Sequence, residues 1–286
     1  MCSVMTVTNP GDRVVIFSPF YENYGADTVL CGAEPTYVEL HAPAFTFDEA
    51  ELEAACAQPG TKALILCNPS NPCGHVFSRA ELEFIAKMAE KYDLWVITDE
   101  VYEHIVYAPY EHVYFVSLPG MEQRTLSCSS LSKTYSMTGW RLGYACGPKP
   151  IIKVMTKIHQ SCIMCAPTTS QYAAVTALKN CDADIESMRK EYDLRRRWLV
   201  NALNNLGLTC FEPQGAFYVF PSIQKSGLPS DEFCKQLLYS KKVAVIPGPA
   251  FGDSGEGFVR ISYSYSLDHL KKAVSRMEEF LKELGV

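Results

Sequence analysis

Four short apolar runs constrain the fold of this chain more than any other feature: Arg13 to Pro19 (RVVIFSP), Ala63 to Pro69 (ALILCNP), Leu94 to Glu100 (LWVITDE) and Arg124 to Ser130 (RTLSCSS). Each is β-rich and closed by turn or polar residues, so each reads as a strand. Between the second and third lies a segment of different period. Ser78 to Tyr92 places Leu82, Ile85, Met88 and Ala89 on one helical face, and Ser78 and Glu81 stand at capping-box spacing at its start. Strands alternating with helices predict an α/β fold, a mostly parallel central sheet with helices on both faces. Ligands of such a sheet collect beyond the C-terminal ends of its strands.

The pattern changes near residue 183. A long helical stretch from about Asp184 to Leu206 carries Ile185, Met188, Tyr192, Leu199 and Leu203 on its apolar side and stops at Gly207. Strands follow at Ala216 to Phe220, Val243 to Ile246 and Phe258 to Ser262. One helix follows Ser230, and another from about Ser266 bears Leu270, Ala273, Val274, Met277, Phe280 and Leu281. The expectation is a large domain over 1–182 and a smaller α+β domain over 183–286, a division that 286 residues can support.

Composition narrows the function. The formal net charge of -6 provides no basic field to gather nucleic acid or anionic lipid. No apolar stretch approaches the ~20 residues of a membrane span, and no signal-peptide pattern opens the chain, so a cytoplasmic protein acting on small molecules is expected. The twelve cysteines are scattered through apolar runs such as Ala63 to Cys67 and read as reduced core residues. Cys162 and Cys165 form a lone C-x-x-C with no second pair and no clustered histidines. They read as helix-face residues, and no metal is predicted. Arg195 to Arg197 read as a solvated helix face.

Several polar residues fall just past predicted strands: Asn68 and Asn71, then Asp99, then Ser130 to Lys133. Asp99 lies in an apolar neighbourhood where an unpaired carboxylate is costly. It either caps a following helix or faces a cation such as a protonated ring nitrogen. Lys133 is either an exposed or phosphate-clamping lysine, or an amine made neutral by burial and nearby cations, able to attack a carbonyl and form a Schiff base. A Walker-type phosphate loop is absent. Ser130, Ser132 and Arg141 together could hold a phosphate. A phosphorylated pyridine bearing an aldehyde fits all of these groups at once.

The chain resembles the pyridoxal-phosphate-dependent aminotransferases of class I/II, the aspartate aminotransferase fold type. The matching stretches are NPSNPCG (Asn68 to Gly74), TDEVYEHI (Thr98 to Ile105), SLSKTYSMTGWRLGY (Ser130 to Tyr144) and VRIS (Val259 to Ser262), in the family's order and spacing. The resemblance implies pyridoxal 5'-phosphate as cofactor, a homodimer, and transfer of an amino group between an L-amino acid and a 2-oxo acid. Lys133 would carry the cofactor as an internal aldimine and then shuttle a proton. Asp99 would hold the pyridine nitrogen protonated, and Asn71 and Tyr102 would hydrogen-bond the phenolic oxygen. Ser130 and Arg141 would grip the phosphate, and Tyr21 would stack on the ring. Arg260 would clamp the substrate α-carboxylate, its alternative being an ion pair at a rim. Tyr218 would pack the small domain rather than touch substrate.

Two departures stand out. Cys73 occupies a position where the family has threonine. Family members also carry a segment ahead of the region that begins here, with a turn and helix that cradle the phosphate. Residues 1–12 read as the end of that helix, and an incomplete chain is expected. Two other readings stand beside aminotransfer: a β-lyase using the same cofactor, and an aminotransferase-like module without turnover.

Overall fold

The computed structural model describes all 286 residues. Its main sheet contains β1 (Arg13–Ser18), β2 (Glu34–His41), β3 (Thr46–Phe47), β4 (Thr61–Cys67), β5 (Trp95–Asp99), β6 (Thr125–Ser130) and β7 (Gly143–Cys146). The strand order is β3-β2-β1-β4-β5-β6-β7. The five inner strands are parallel, and both edges, β3 and β7, are antiparallel. This is the α/β architecture expected from the alternating runs.

Period-two alternation explains how two helical layers share one sheet. Val15 and Phe17 of β1 and Leu64 and Leu66 of β4 point to one face, where they pack with Leu52 of α3 (Glu49–Cys56) and Leu82 and Ile85 of α4 (Arg79–Lys91). Val14, Ile16, Ala63 and Ile65 point to the other, against Val4 of α1 (Cys2–Val7) and Ile151 and Ile152 of α6 (Lys149–Cys162). The remaining helices of this part are α2 (Asn23–Leu30), α5 (Leu131–Thr134) and α7 (Thr168–Asn180). The capping box of α4 is complete: the Ser78 side chain accepts Glu81 N–H, and the Glu81 carboxylate accepts Ser78 N–H at 2.7 Å.

Beyond it runs α8 (Asp182–Asn205), closed by Gly207 at φ +78° and a Leu208 N–H bond to the Leu203 carbonyl. Then come β8 (Tyr218–Val219), α9 (Ser230–Lys241), β9 (Ile246–Pro247), β10 (Val259–Ser262) and α10 (Leu267–Glu283). The three strands form an antiparallel sheet in the order β8-β10-β9. Leu199, Leu203, Phe233, Val259, Leu270 and Phe280 form a core around it. The expected strand at 243–246 shrinks to Ile246 and Pro247. A proline cannot donate to the ladder, which keeps this edge short.

Two surface expectations are corrected. Arg196 is buried rather than solvated: it pairs with Asp193 and Glu212 and lies 4.6 Å above the Tyr107 ring. Cys165 lies in the connection after α6 rather than on a helix face, and Cys146, Cys162 and Cys165 are exposed rather than in the core. No helix is long and apolar enough to cross a membrane.

Candidate active site

Parallel pairing brings the ends of three strands level, with Cys67 of β4 beside Asp99 of β5 and Asp99 beside Cys128 of β6. Their loops therefore open on one rim. Tyr21, Asn71, Asp99, Tyr102, Ser130, Ser132, Lys133, Arg141 and Arg260 line a single cleft of about 460 Å3 there, whereas Asn68 turns away and accepts the Phe77 N–H at 3.1 Å. Six come from the ends of β4, β5 and β6 and the segments that follow them: Asp99 and Ser130 close their strands, and Asn71, Tyr102, Ser132 and Lys133 lie just beyond. Tyr21 precedes α2, Arg141 precedes β7, and Arg260 reaches in from β10.

Asp99 terminates a strand and is not a helix cap, because no helix follows it directly. Its Oδ1 accepts the Val101 N–H at 3.2 Å, and its Oδ2 accepts the Tyr24 hydroxyl at 2.6 Å. Burial pushes its pKa up, while those two donors and nearby Lys133 pull it down. This carboxylate has donors but no ion-pair partner.

Lys133 sits in the single turn of α5, whose N-cap is Ser130. Ser130 Oγ accepts Ser132 N–H at 3.0 Å and lies 2.8 Å from Ser132 Oγ, which puts two hydroxyls and a backbone amide at the start of the turn. The ammonium of Lys133 lies 5.6 Å from the centroid of the Phe217 ring. Burial, then Arg260, then Arg141 lower its pKa, and Asp99 opposes them. It is neither an exposed lysine nor one held in an ion pair.

Arg141 adopts a left-handed backbone (φ +53°) and turns its guanidinium to the Thr138 carbonyl at 2.9 Å. Arg260 donates to Asn71 Oδ1 at 3.0 Å and is held between aromatic rings, 4.4 Å from Tyr218 and 4.6 Å from Phe251. A rim ion pair does not form. Lys133, Arg141 and Arg260 thus face one cleft with no carboxylate bound to any of them; of the acidic residues lining it, Asp99 ends β5, Asp27 is paired with the N-terminal ammonium at 2.6 Å, and Glu22 makes no ion pair. That donor set fits a ligand carrying a phosphate, a second anion and one ring cation.

Tyr218 departs from expectation. It lines the cleft, and its hydroxyl accepts from Tyr102 at 3.2 Å, so it does more than pack a domain. Tyr24 and Phe217 were not singled out by sequence. Tyr24 is 75 residues from Asp99 in the chain, and only its i+3 relation to Tyr21 could have marked it. Behind β6, Ser127 and Ser129 donate to the buried carboxylates of Glu100 and Glu103 at 2.6 and 2.7 Å. Tyr144 adds a second donor to Glu103, and His112 stands nearby with neither ring nitrogen hydrogen-bonded.

The family model described as aminotransferase class I and II matches residues 2–277. The chain belongs to that family, and its activity class is that of an aminotransferase. An aspartate aminotransferase of Pyrococcus abyssi is 43% identical over 276 residues, covering 96% of this chain and 71% of that protein. Aromatic-amino-acid aminotransferase 2 of Thermococcus litoralis is 39% identical over 286 residues, covering 99% and 73%. Among solved structures, the aromatic aminotransferase of Pyrococcus horikoshii OT3 superposes with a TM-score of 0.96 at 41% identity, covering 99% of this chain and 76% of that one.

Proposed function

We propose that this chain moves an amino group between an L-amino acid and a 2-oxo acid, using pyridoxal 5'-phosphate joined to Lys133 as a Schiff base. The observation that carries this reading is the Lys133 amine: half-buried, with a lowered pKa and no acceptor of its own, in the cleft that Asp99 also lines. The cofactor, when bound, supplies an electron sink for the substrate Cα.

Everything else falls to the side chains. Lys133 is the base that carries the proton from the substrate Cα. Asp99, its carboxylate fixed by Tyr24, would pair with the ring nitrogen and hold a proton on it. Ser130, Ser132 and Arg141 hold the phosphate, the arginine through its planar fork. Asn71 and Tyr102 would donate to the phenolic oxygen, and Tyr21 would cover the ring face. Arg260, oriented by Asn71 and two aromatic rings, takes the substrate α-carboxylate.

A homodimer belongs to the same reading. No residue of α6 is buried, and Ile163, Met164, Tyr172, Val175 and Leu178 on and before α7 are exposed, which supports an apolar face covered by a second copy. A single species of one chain's mass in sedimentation would refute the dimer. Twelve free cysteines support a reducing compartment.

The test is absorbance after reconstitution, followed by a panel of amino donors that includes aspartate and aromatic amino acids. A cofactor band present in the wild type and lost in Lys133→Ala, with donor-dependent conversion to the aminated cofactor, is the expected result. Absence of any lysine-dependent band would overturn the reading, and release of ammonia would replace it with elimination.

A further inference from the structure

We propose that Tyr218 is a positioning residue that joins the substrate-carboxylate clamp to the cofactor's phenolic oxygen, its ring seating Arg260 and its hydroxyl holding Tyr102. The inference rests on the functional reading above and assigns a role that the family resemblance did not supply.

The geometry starts with the small sheet. Tyr218 of β8 pairs with Ser262 of β10, so Arg260, two residues before Ser262, lies diagonally across on the same face. The guanidinium carbon of Arg260 stands 4.4 Å from the Tyr218 ring centroid. The hydroxyl at the far end of that ring meets the Tyr102 hydroxyl at 3.2 Å, and the two rings meet edge to face with centroids 6.0 Å apart. Tyr102 is 3% exposed and Tyr218 7%, so no bulk water competes for either hydroxyl.

The segment is also held rigidly. Ala216, two residues earlier, adopts φ +60°, which costs an L-residue energy unless its surroundings enforce it. They do: its N–H donates to the Ile105 carbonyl at 2.9 Å, and its carbonyl accepts the hydroxyls of Tyr107 at 2.6 Å and Tyr263 at 3.1 Å. Phe217 and Tyr218 leave this anchor in a fixed direction, one against Lys133 and the other against Tyr102 and Arg260.

The consequence concerns direction of donation. Tyr102 now donates to Tyr218. Once Tyr102 turns its proton to the cofactor's phenolic oxygen, its own oxygen is free to accept, and Tyr218 is the hydroxyl in reach. A phenol that accepts a hydrogen bond is a stronger donor, so Tyr218 strengthens the bond that stabilises the deprotonated form of the lysine-bound cofactor.

Two variants separate the ring from the hydroxyl. Tyr218→Phe keeps the ring and should raise the pH midpoint of the bound-cofactor absorbance change by about 0.5 to 1 unit, the equivalent of one hydrogen bond, with KM for the 2-oxo acid unchanged. Tyr218→Leu loses both and should also raise that KM about 3- to 30-fold, the range of a desolvated cation–π contact. Tyr102→Phe is the reference and should shift the midpoint further. If Tyr218→Phe leaves the midpoint in place while Tyr102→Phe moves it, or if KM is unchanged in Tyr218→Leu, the role of Tyr218 is refuted. If the wild type shows no lysine-dependent band at all, the functional reading itself fails and this inference falls with it.

Discussion

Asp99 shows how one residue can be placed by sheet geometry and tuned by its neighbours. Ending a buried strand puts its carboxylate at the rim, and the Tyr24 hydroxyl and Val101 amide keep it oriented. His112 illustrates a different case, an enclosed imidazole that makes no hydrogen bond although its Nε2 stands 3.9 Å from the Glu100 carboxylate. Burial pushes its pKa down to about 4 from the ordinary 6.5, so the unfolded chain takes up a proton that the folded chain refuses. Stability contributed by this residue is therefore complete above pH 6.5 and lost as the pH falls towards 4, by about 3 kcal/mol in all. Glu100 pulls the other way, because burial raises its pKa and acid relieves it. The comparison that isolates His112 is the difference between wild type and His112→Asn in denaturant melts at pH 7 and pH 4.5. The wild type should lose more stability on acidification, and equal losses would refute the assignment.

At the scale of elements, the turn between β9 and β10 is the most exacting. Gly248 donates to the Phe258 carbonyl at 2.9 Å, and a Cβ placed on it would fall against the backbone of Gly255. Gly248→Ala is expected to cost at least ~3 kcal/mol and to lower the melting temperature accordingly, since backbone cannot give way as a flexible side chain can. Loss of the β9–β10 register would carry Arg260 with it. Within the main sheet the strands legible in the sequence were those covered on both faces: β1, β4 and β5 read as apolar runs, and β6 as a β-rich stretch closed by serines. In contrast, β2 alternates exposed and buried positions and begins with Glu34 and Pro35, and none of the four residues of β7 is buried, so neither showed a run. The site residues were legible where a motif sits at a strand end, as with Asp99 and Lys133. Tyr24 and the cleft-facing role of Tyr218 were not, because each acts through a partner more than 70 residues away in the chain.

The whole molecule brings two chain regions to one cleft: the rim of the parallel sheet contributes Asp99, Lys133 and Arg141, and the small antiparallel sheet contributes Tyr218 and Arg260. That convergence gathers three positive charges with no counter-ion bound to any of them. Arg260 and Arg141 disfavour the charge on Lys133, and an anion entering the cleft would offset that repulsion. Heat should reveal it. Without cofactor, Lys133→Met is expected to melt about 2–4 °C above the wild type, the shift that ~1 kcal/mol produces in a chain of this size. Calorimetry showing an equal or lower transition would refute this. Pyridoxal phosphate should reverse the ranking, stabilising the wild type by mass action while the variant loses its attachment point. The arrangement that readies this cleft for its ligand is thus expected to cost the protein stability until an anion fills it.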